Sequence, residues 1–201
     1  MRILIYGFGP YRQFHDNVTE QIVRALPRRG GLKKIVFPVR FHKSQFIGAV
    51  ERFRPVMILG LGQCSRGRVL RMETRAVNRR RNSKLDEARP IMRGGPPRLA
   101  THFQLKLARR ARVSNNAGDY VCNYSMYVML DYIQRRKLPV LYGFIHVPRL
   151  YDPKIALREL RRALSSSRFN VQRSMPERCS RRSNRSSRSK RRARARFQRL
   201  H

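Results

Sequence analysis

The chain has 201 residues, long enough for one domain with an appendage, and 41% of them are apolar, which is enough for a real core. With 47 Lys plus Arg against 11 Asp plus Glu the formal net charge is +36, no apolar stretch is long enough to span a membrane, and the apolar run at residues 3–6 is too short for a signal peptide. Cys64, Cys122 and Cys179 have no metal-ligand spacing and argue against a disulfide framework, so a cytoplasmic protein is expected.

Residues 2–6 form a short apolar run ending at Gly7, and Asn17-Val18-Thr19-Glu20 then offers a capping-box start to a helix reaching about Leu26. A second strand is predicted over 34–39, and a helix over 44–53 with Phe46, Ile47, Val50 and Phe53 on one face. Residues 56–59 read as a buried strand. Residues 69–77 alternate less cleanly and suggest a strand that turns antiparallel at the sheet edge. There follow a helix near 101–110, a short strand at 111–114, a helix over 121–136, a strand over 140–147 and a helix from Pro153 to about Ser165, with proline suited to its first turn. Strands alternating with amphipathic helices predict an α/β fold with helices on both faces of the sheet, a three-layer α/β/α sandwich around a mostly parallel twisted sheet. Sites in such sheets gather at strand ends, where Gly7, Gln63, Cys122 and His146 fall.

The segment Ala117-Gly118-Asp119-Tyr120-Val121-Cys122-Asn123 places a cysteine just after a turn, in the first turn of a helix. Unpaired N–H groups and the positive end of the helix dipole there favour thiolate over thiol. His146, 24 positions later on a separate apolar strand, is a candidate base for it. Taken singly, the cysteine reads more readily as an inert buried thiol, the histidine as a structural residue and Glu73 as a solvated strand carboxylate. No HExxH, CxxC, Walker or full GxGxxG motif is present, and no cofactor is implied.

Four blocks in order resemble the pyroglutamyl-peptidase I family of cysteine peptidases: Gly7-Phe8-Gly9-Pro10-Tyr11 with Asn17, Gly60-Leu61-Gly62-Gln63, Glu73-Thr74-Arg75-Ala76-Val77-Asn78, and the Cys122 and His146 segments. The resemblance covers roughly residues 1–165 and implies a phosphorylase/hydrolase-like fold. It also implies a triad in which Cys122 attacks, His146 is general base and acid, and Glu73 orients the imidazole. It implies a substrate pocket in which Phe8 and Tyr11 sandwich an uncharged pyroglutamyl ring, with Tyr120 and Val121 beside it and the Gln63 region supplying polar contacts. Homo-oligomers are frequent in the family. The chain departs from the family at Arg12-Gln13, where two glycines are usual, and after Asn78, where the segment is short and arginine-rich.

The charge stands apart from this reading. Residues 177–201 contribute +10 and the rest of the chain +26, so the folded body is basic as well. The expected organisation is a catalytic domain over residues 1–170 and a disordered Arg/Ser-rich tail over 171–201. A cysteine peptidase acting after an N-terminal pyroglutamyl residue is the expected function. The alternative is a drifted relative that binds RNA or DNA through its basic surface and tail.

Overall fold

Alternating burial along the strands builds the architecture. The computed structural model describes residues 1–11, 14–83, 85–107 and 111–165; the expected boundary at 170, the tail, Cys179, the pair Arg12-Gln13 and the end of the helix expected near 101–110 lie outside these. In chain order the elements are β1 (Ile3–Phe8), α1 (Val18–Ala25), β2 (Leu32–Phe37), α2 (Lys43–Phe53), β3 (Met57–Cys64), β4 (Arg71–Glu73), β5 (Arg75–Val77), β6 (Arg98–Ala100), β7 (Arg112–Ser114), α3 (Val121–Arg135), β8 (Leu141–Pro148) and α4 (Pro153–Ser165).

The main sheet runs β2-β1-β3-β8-β4-β7, with β2, β1, β3 and β8 mutually parallel. Within β1, Leu4, Tyr6 and Phe8 enter one buried cluster and Ile5 the other; within β8, Tyr142 and Phe144 enter the first, and Ile145 and Val147 the second. That period of two is what a strand covered on both faces requires. The first cluster is closed by α2 and α3, the second by α1 and α4, giving the three layers. Helix α1 starts at Asn17, whose Oδ1 accepts the Thr19 N–H at 3.0 Å, and buries Val18, Ile22 and Val23 on its inner face. Helix α4 buries Ala156, Leu160 and Ala163, spaced to fall along one stripe.

Two expectations are corrected. Residues 101–107 are extended rather than helical: Thr101, Phe103 and Leu105 are buried while His102, Gln104 and Lys106 are not, a period of two. The His102 N–H donates to the Tyr142 carbonyl at 2.8 Å, and the Tyr142 N–H donates to His102 Nδ1 at 3.1 Å, so this segment runs beside β8 and covers Gly143 with Phe103. The strand within 69–77 is antiparallel to β8 as expected, but it is not the edge. β7 pairs outside β4, and the chain leaves the main sheet at Thr74 so that β5 joins β6 in a separate two-stranded sheet.

Candidate active site

The Cys122 helix begins where three local features coincide. Gly118 takes φ +78° in the turn, Tyr120 is an extended N-cap, and no side chain caps the helix start. The first-turn N–H groups therefore receive no cap from the Tyr120 side chain. Asn123 then ties this turn to β5: its Oδ1 accepts the Val77 N–H at 2.9 Å, and its Nδ2 donates to the carbonyls of Val77 at 2.9 Å and Arg79 at 2.8 Å. Asn123→Ala would strip partners from three backbone groups at once. It is expected to cost about 3 kcal/mol and to lower the thermal midpoint by roughly 6–12 °C; a melting curve that moves by less than about 2 °C would show the anchor to be dispensable.

Strand parity brings the chemical groups onto one face. In β3 the Gly62 position faces α3, and a Cβ built there would lie 2.7 Å from Cys122 Sγ. Gly62 pairs with His146 on β8, and His146 pairs with Arg71 on β4. Two residues further along β4, on the same face, Glu73 accepts from His146: the Nδ1–Oε1 distance is 2.7 Å, with Glu73 fully buried and His146 4% exposed. Nδ1 is thus committed to the carboxylate, which leaves Nε2 as the nitrogen for a thiol. No hydrogen bond joins His146 to Cys122 among the described residues; the two are brought to the same patch of sheet through Gly62.

Burial overturns one electrostatic expectation. Although Cys122 as a residue is only half-buried, its thiol is packed against Gly62 and is pushed up to about 12, mainly by desolvation and then by the neighbouring Cys64 and Glu73 charges. A bond to its own backbone and the Arg71 charge act the other way but are smaller. The helix start alone does not offset this burial, which favours thiol over thiolate. Glu73 shows the opposite balance. Burial pushes its carboxyl up, but the hydrogen bond and charge of His146, with Ser114 and Arg71, outweigh this and hold it below the usual range. Ser114 approaches closely enough to favour the charge, yet Oε2 makes no hydrogen bond of good geometry.

Beneath the cysteine lies a polar chain that sequence reading missed. Ser125 Oγ donates to the Cys122 carbonyl at 2.8 Å and lies 3.0 Å from the Tyr6 hydroxyl, which is 2.6 Å from that of Tyr142. It pins the helix start to β1 and β8 through buried side chains. A serine three residues after the cysteine, on the helix's inner face, was the available signal.

The expected pocket residues separate. Tyr11 and Tyr120 face each other with ring centroids 5.3 Å apart, and Phe41, absent from the sequence reading, meets Tyr120 at 5.2 Å and Tyr124 at 5.1 Å. Phe8 packs edge-on to Tyr6 and Phe46 in the core, and Val121 is 1% exposed. The Gln63 side chain points to the α1 face, where its Oε1 accepts the Val18 N–H at 2.9 Å. Two of the arginines after Asn78 lie beside these groups: Arg81 Nε is 3.0 Å from Asp119 Oδ2, and Arg80 lies 5.3 Å over the Phe41 ring.

Comparison with known proteins supplies an independent frame. The sequence model of the pyroglutamyl peptidase family matches residues 1–168. The pyrrolidone-carboxylate peptidase of Halalkalibacterium halodurans is 30% identical over 196 residues, covering 81% of this chain and 95% of that protein. That of Oceanobacillus iheyensis is 28% identical over 190 residues with the same coverage of each chain, 81% and 95%. Among solved structures, a mutant pyrrolidone carboxyl peptidase from Pyrococcus furiosus superposes with a TM-score of 0.74 at 25% identity, covering 82% of this chain and 96% of that one.

Proposed function

The chain belongs to the pyroglutamyl peptidase family, and from that membership we propose how its own residues hydrolyse the amide bond that follows an N-terminal pyroglutamyl residue. Cys122 is the nucleophile, His146 the general base and acid, and Glu73 the group that orients the imidazole. The observation that carries the assignment is the 2.7 Å Glu73–His146 bond, buried on the sheet face where the Cys122 thiol rests over Gly62, directly beside His146 in register.

The thiol gives its proton to His146 Nε2 as the sulfur attacks the pyroglutamyl carbonyl. Glu73, already ionised and bonded to Nδ1, stabilises the imidazolium that forms. The oxyanion of the tetrahedral intermediate is held by first-turn N–H groups of α3, which the N-cap Tyr120 side chain leaves uncapped. Collapse breaks the C–N bond, the imidazolium protonates the departing amine, and a thioester remains on Cys122. Water, deprotonated by the same imidazole, then releases pyroglutamate and restores the thiol.

The substrate's first residue carries a lactam and no ammonium group, so its pocket is best walled by aromatic faces. Tyr11, Tyr120 and Phe41 supply such a wall beside the helix start. The enzyme is therefore expected to release a fluorescent amine from a pyroglutamyl amide and not from the open-chain glutaminyl amide, whose ammonium group would be desolvated there. Equal cleavage of both would rule out the lactam pocket.

A nucleic-acid function would draw on charge alone, and several of the described arginines are internally engaged. Arg79 and Arg81 face Asp119 at 3.9 and 3.0 Å, Arg135 bonds Asp131 at 2.8 Å, and Arg136 lies 5.9 Å over Tyr132. Nothing in that arrangement favours a phosphate backbone over bulk anions.

A further inference from the structure

We propose that Arg71 is a positioning residue for the Cys122–His146–Glu73 site, supplying the second positive charge that allows thiolate, imidazolium and carboxylate to coexist there; the inference rests on the triad assignment above. Arg71 stands directly opposite His146 in the antiparallel β4–β8 pairing, and its Nε lies 3.9 Å from Glu73 Oε1. That Nε is buried and has no hydrogen-bond partner among the described residues. An arginine retained for bond geometry would grip a carboxylate through two short parallel bonds. Here the guanidinium hydrogen-bonds the Cys64 thiol and is close to Glu73 without being bonded to it through Nε, so toward Glu73 its charge matters more than its donors.

The charges explain why a cation is needed. When Cys122 passes its proton to His146, the site holds thiolate, imidazolium and the Glu73 carboxylate, a net negative charge in a largely desolvated space. The guanidinium brings the sum to zero. Arg71 acts on Cys122 and on Glu73 in the same sense, favouring the ionised form of each against the larger opposing effect of burial. The other titratable or charged groups around the site are His146 on β8 and Cys64 at the end of β3, the Tyr6 and Tyr142 hydroxyls, which act on Cys122, and Arg112, exposed and opposite Arg71 on β7. Arg112 is solvated, and the two tyrosines are buried and held neutral well above their ordinary range, so none of these replaces Arg71.

Removing the cation makes thiolate harder to form and imidazolium harder to lose, so both limbs of the pH–rate profile move upward. The experiment compares kcat/KM against pH for a pyroglutamyl amide in wild type, Arg71→Met and Arg71→Lys. In parallel, iodoacetamide labelling at Cys122 is followed by mass against pH, a readout that needs no turnover. Arg71→Met is expected to shift both limbs and the labelling profile up by about one pH unit. At pH 6 this lowers kcat/KM by about ten-fold with KM nearly unchanged. Arg71→Lys is expected to restore the wild-type profile. Reduced activity with unmoved limbs, or a lysine variant no better than the methionine one, would overturn the proposal. Should wild type label at Cys122 but turn over no pyroglutamyl substrate, the functional reading fails while the labelling profiles still decide the role of Arg71.

Discussion

Cys122→Ala is expected to lose kcat/KM by roughly 10⁴-fold or more while unfolding at nearly the same temperature as wild type. The loss is large because the thioester route disappears: His146 and Glu73 remain, but the base then has only water to activate, on a carbonyl positioned for a nucleophile that is gone. Stability changes little because the substitution removes a single sulfur atom and alanine suits a helix's first turn. Cys64→Ala is the informative companion. Cys64 faces the same side of β3 but donates its Sγ–H to the Arg66 carbonyl at 3.3 Å, and its thiol is pushed up chiefly by burial. Turnover is expected to survive its removal. Hydrolysis that persists in Cys122→Ala, measured by amine release with protein purified free of host peptidases, would eliminate the nucleophile assignment.

The second large effect comes from a residue with no side chain. Gly62→Ala would place a methyl group 2.7 Å from Cys122 Sγ and 2.7 Å from Phe144 Cζ, closer than real Cβ contacts allow. Phe144 is fixed in the core, so the displacement falls on the Cys122 thiol at the end of its short side chain. Displacing a nucleophile by about 1 Å costs on the order of 100-fold in kcat, whereas the overpacking itself costs about 1–3 kcal/mol of stability. Gly30→Ala, where an added Cβ meets nothing within 4 Å, is the matched control and is expected to leave kcat unchanged. Wild-type kcat in a folded Gly62→Ala protein would mean that the thiol does not work from its position over β3.

The order of strands and helices was legible because its signals are local. The capping residue Asn17, the apolar run before Gly7 and the turn at Gly118 each act within a few residues, and each stands where the sequence predicts. The helix expected near 101–110 fails for a local reason as well. Thr101, Phe103 and Leu105 alternate with polar neighbours, and this period of two is the stronger signal when the segment has a strand to lie against. The edge placement of the strand within 69–77 fails for a non-local one, since three residues of β7 suffice to cover it.

The sequence by itself determined which groups are available for chemistry: a carboxylate in a short strand, then a cysteine at a helix start and a histidine on an apolar strand, within a strand–helix alternation that can only close as a covered sheet. Only the tertiary structure decided which of them meet and in what state. Period-two parity says that Arg71 and Glu73 share a face, and so do Gly62 and Cys64, but not that β8 lies between those strands with His146 bonded to one side and Gly62 on the other. The same holds for the thiol's proton. A helix terminus is a local field that favours thiolate, whereas desolvation depends on everything packed around the sulfur, and here desolvation is the larger of the two.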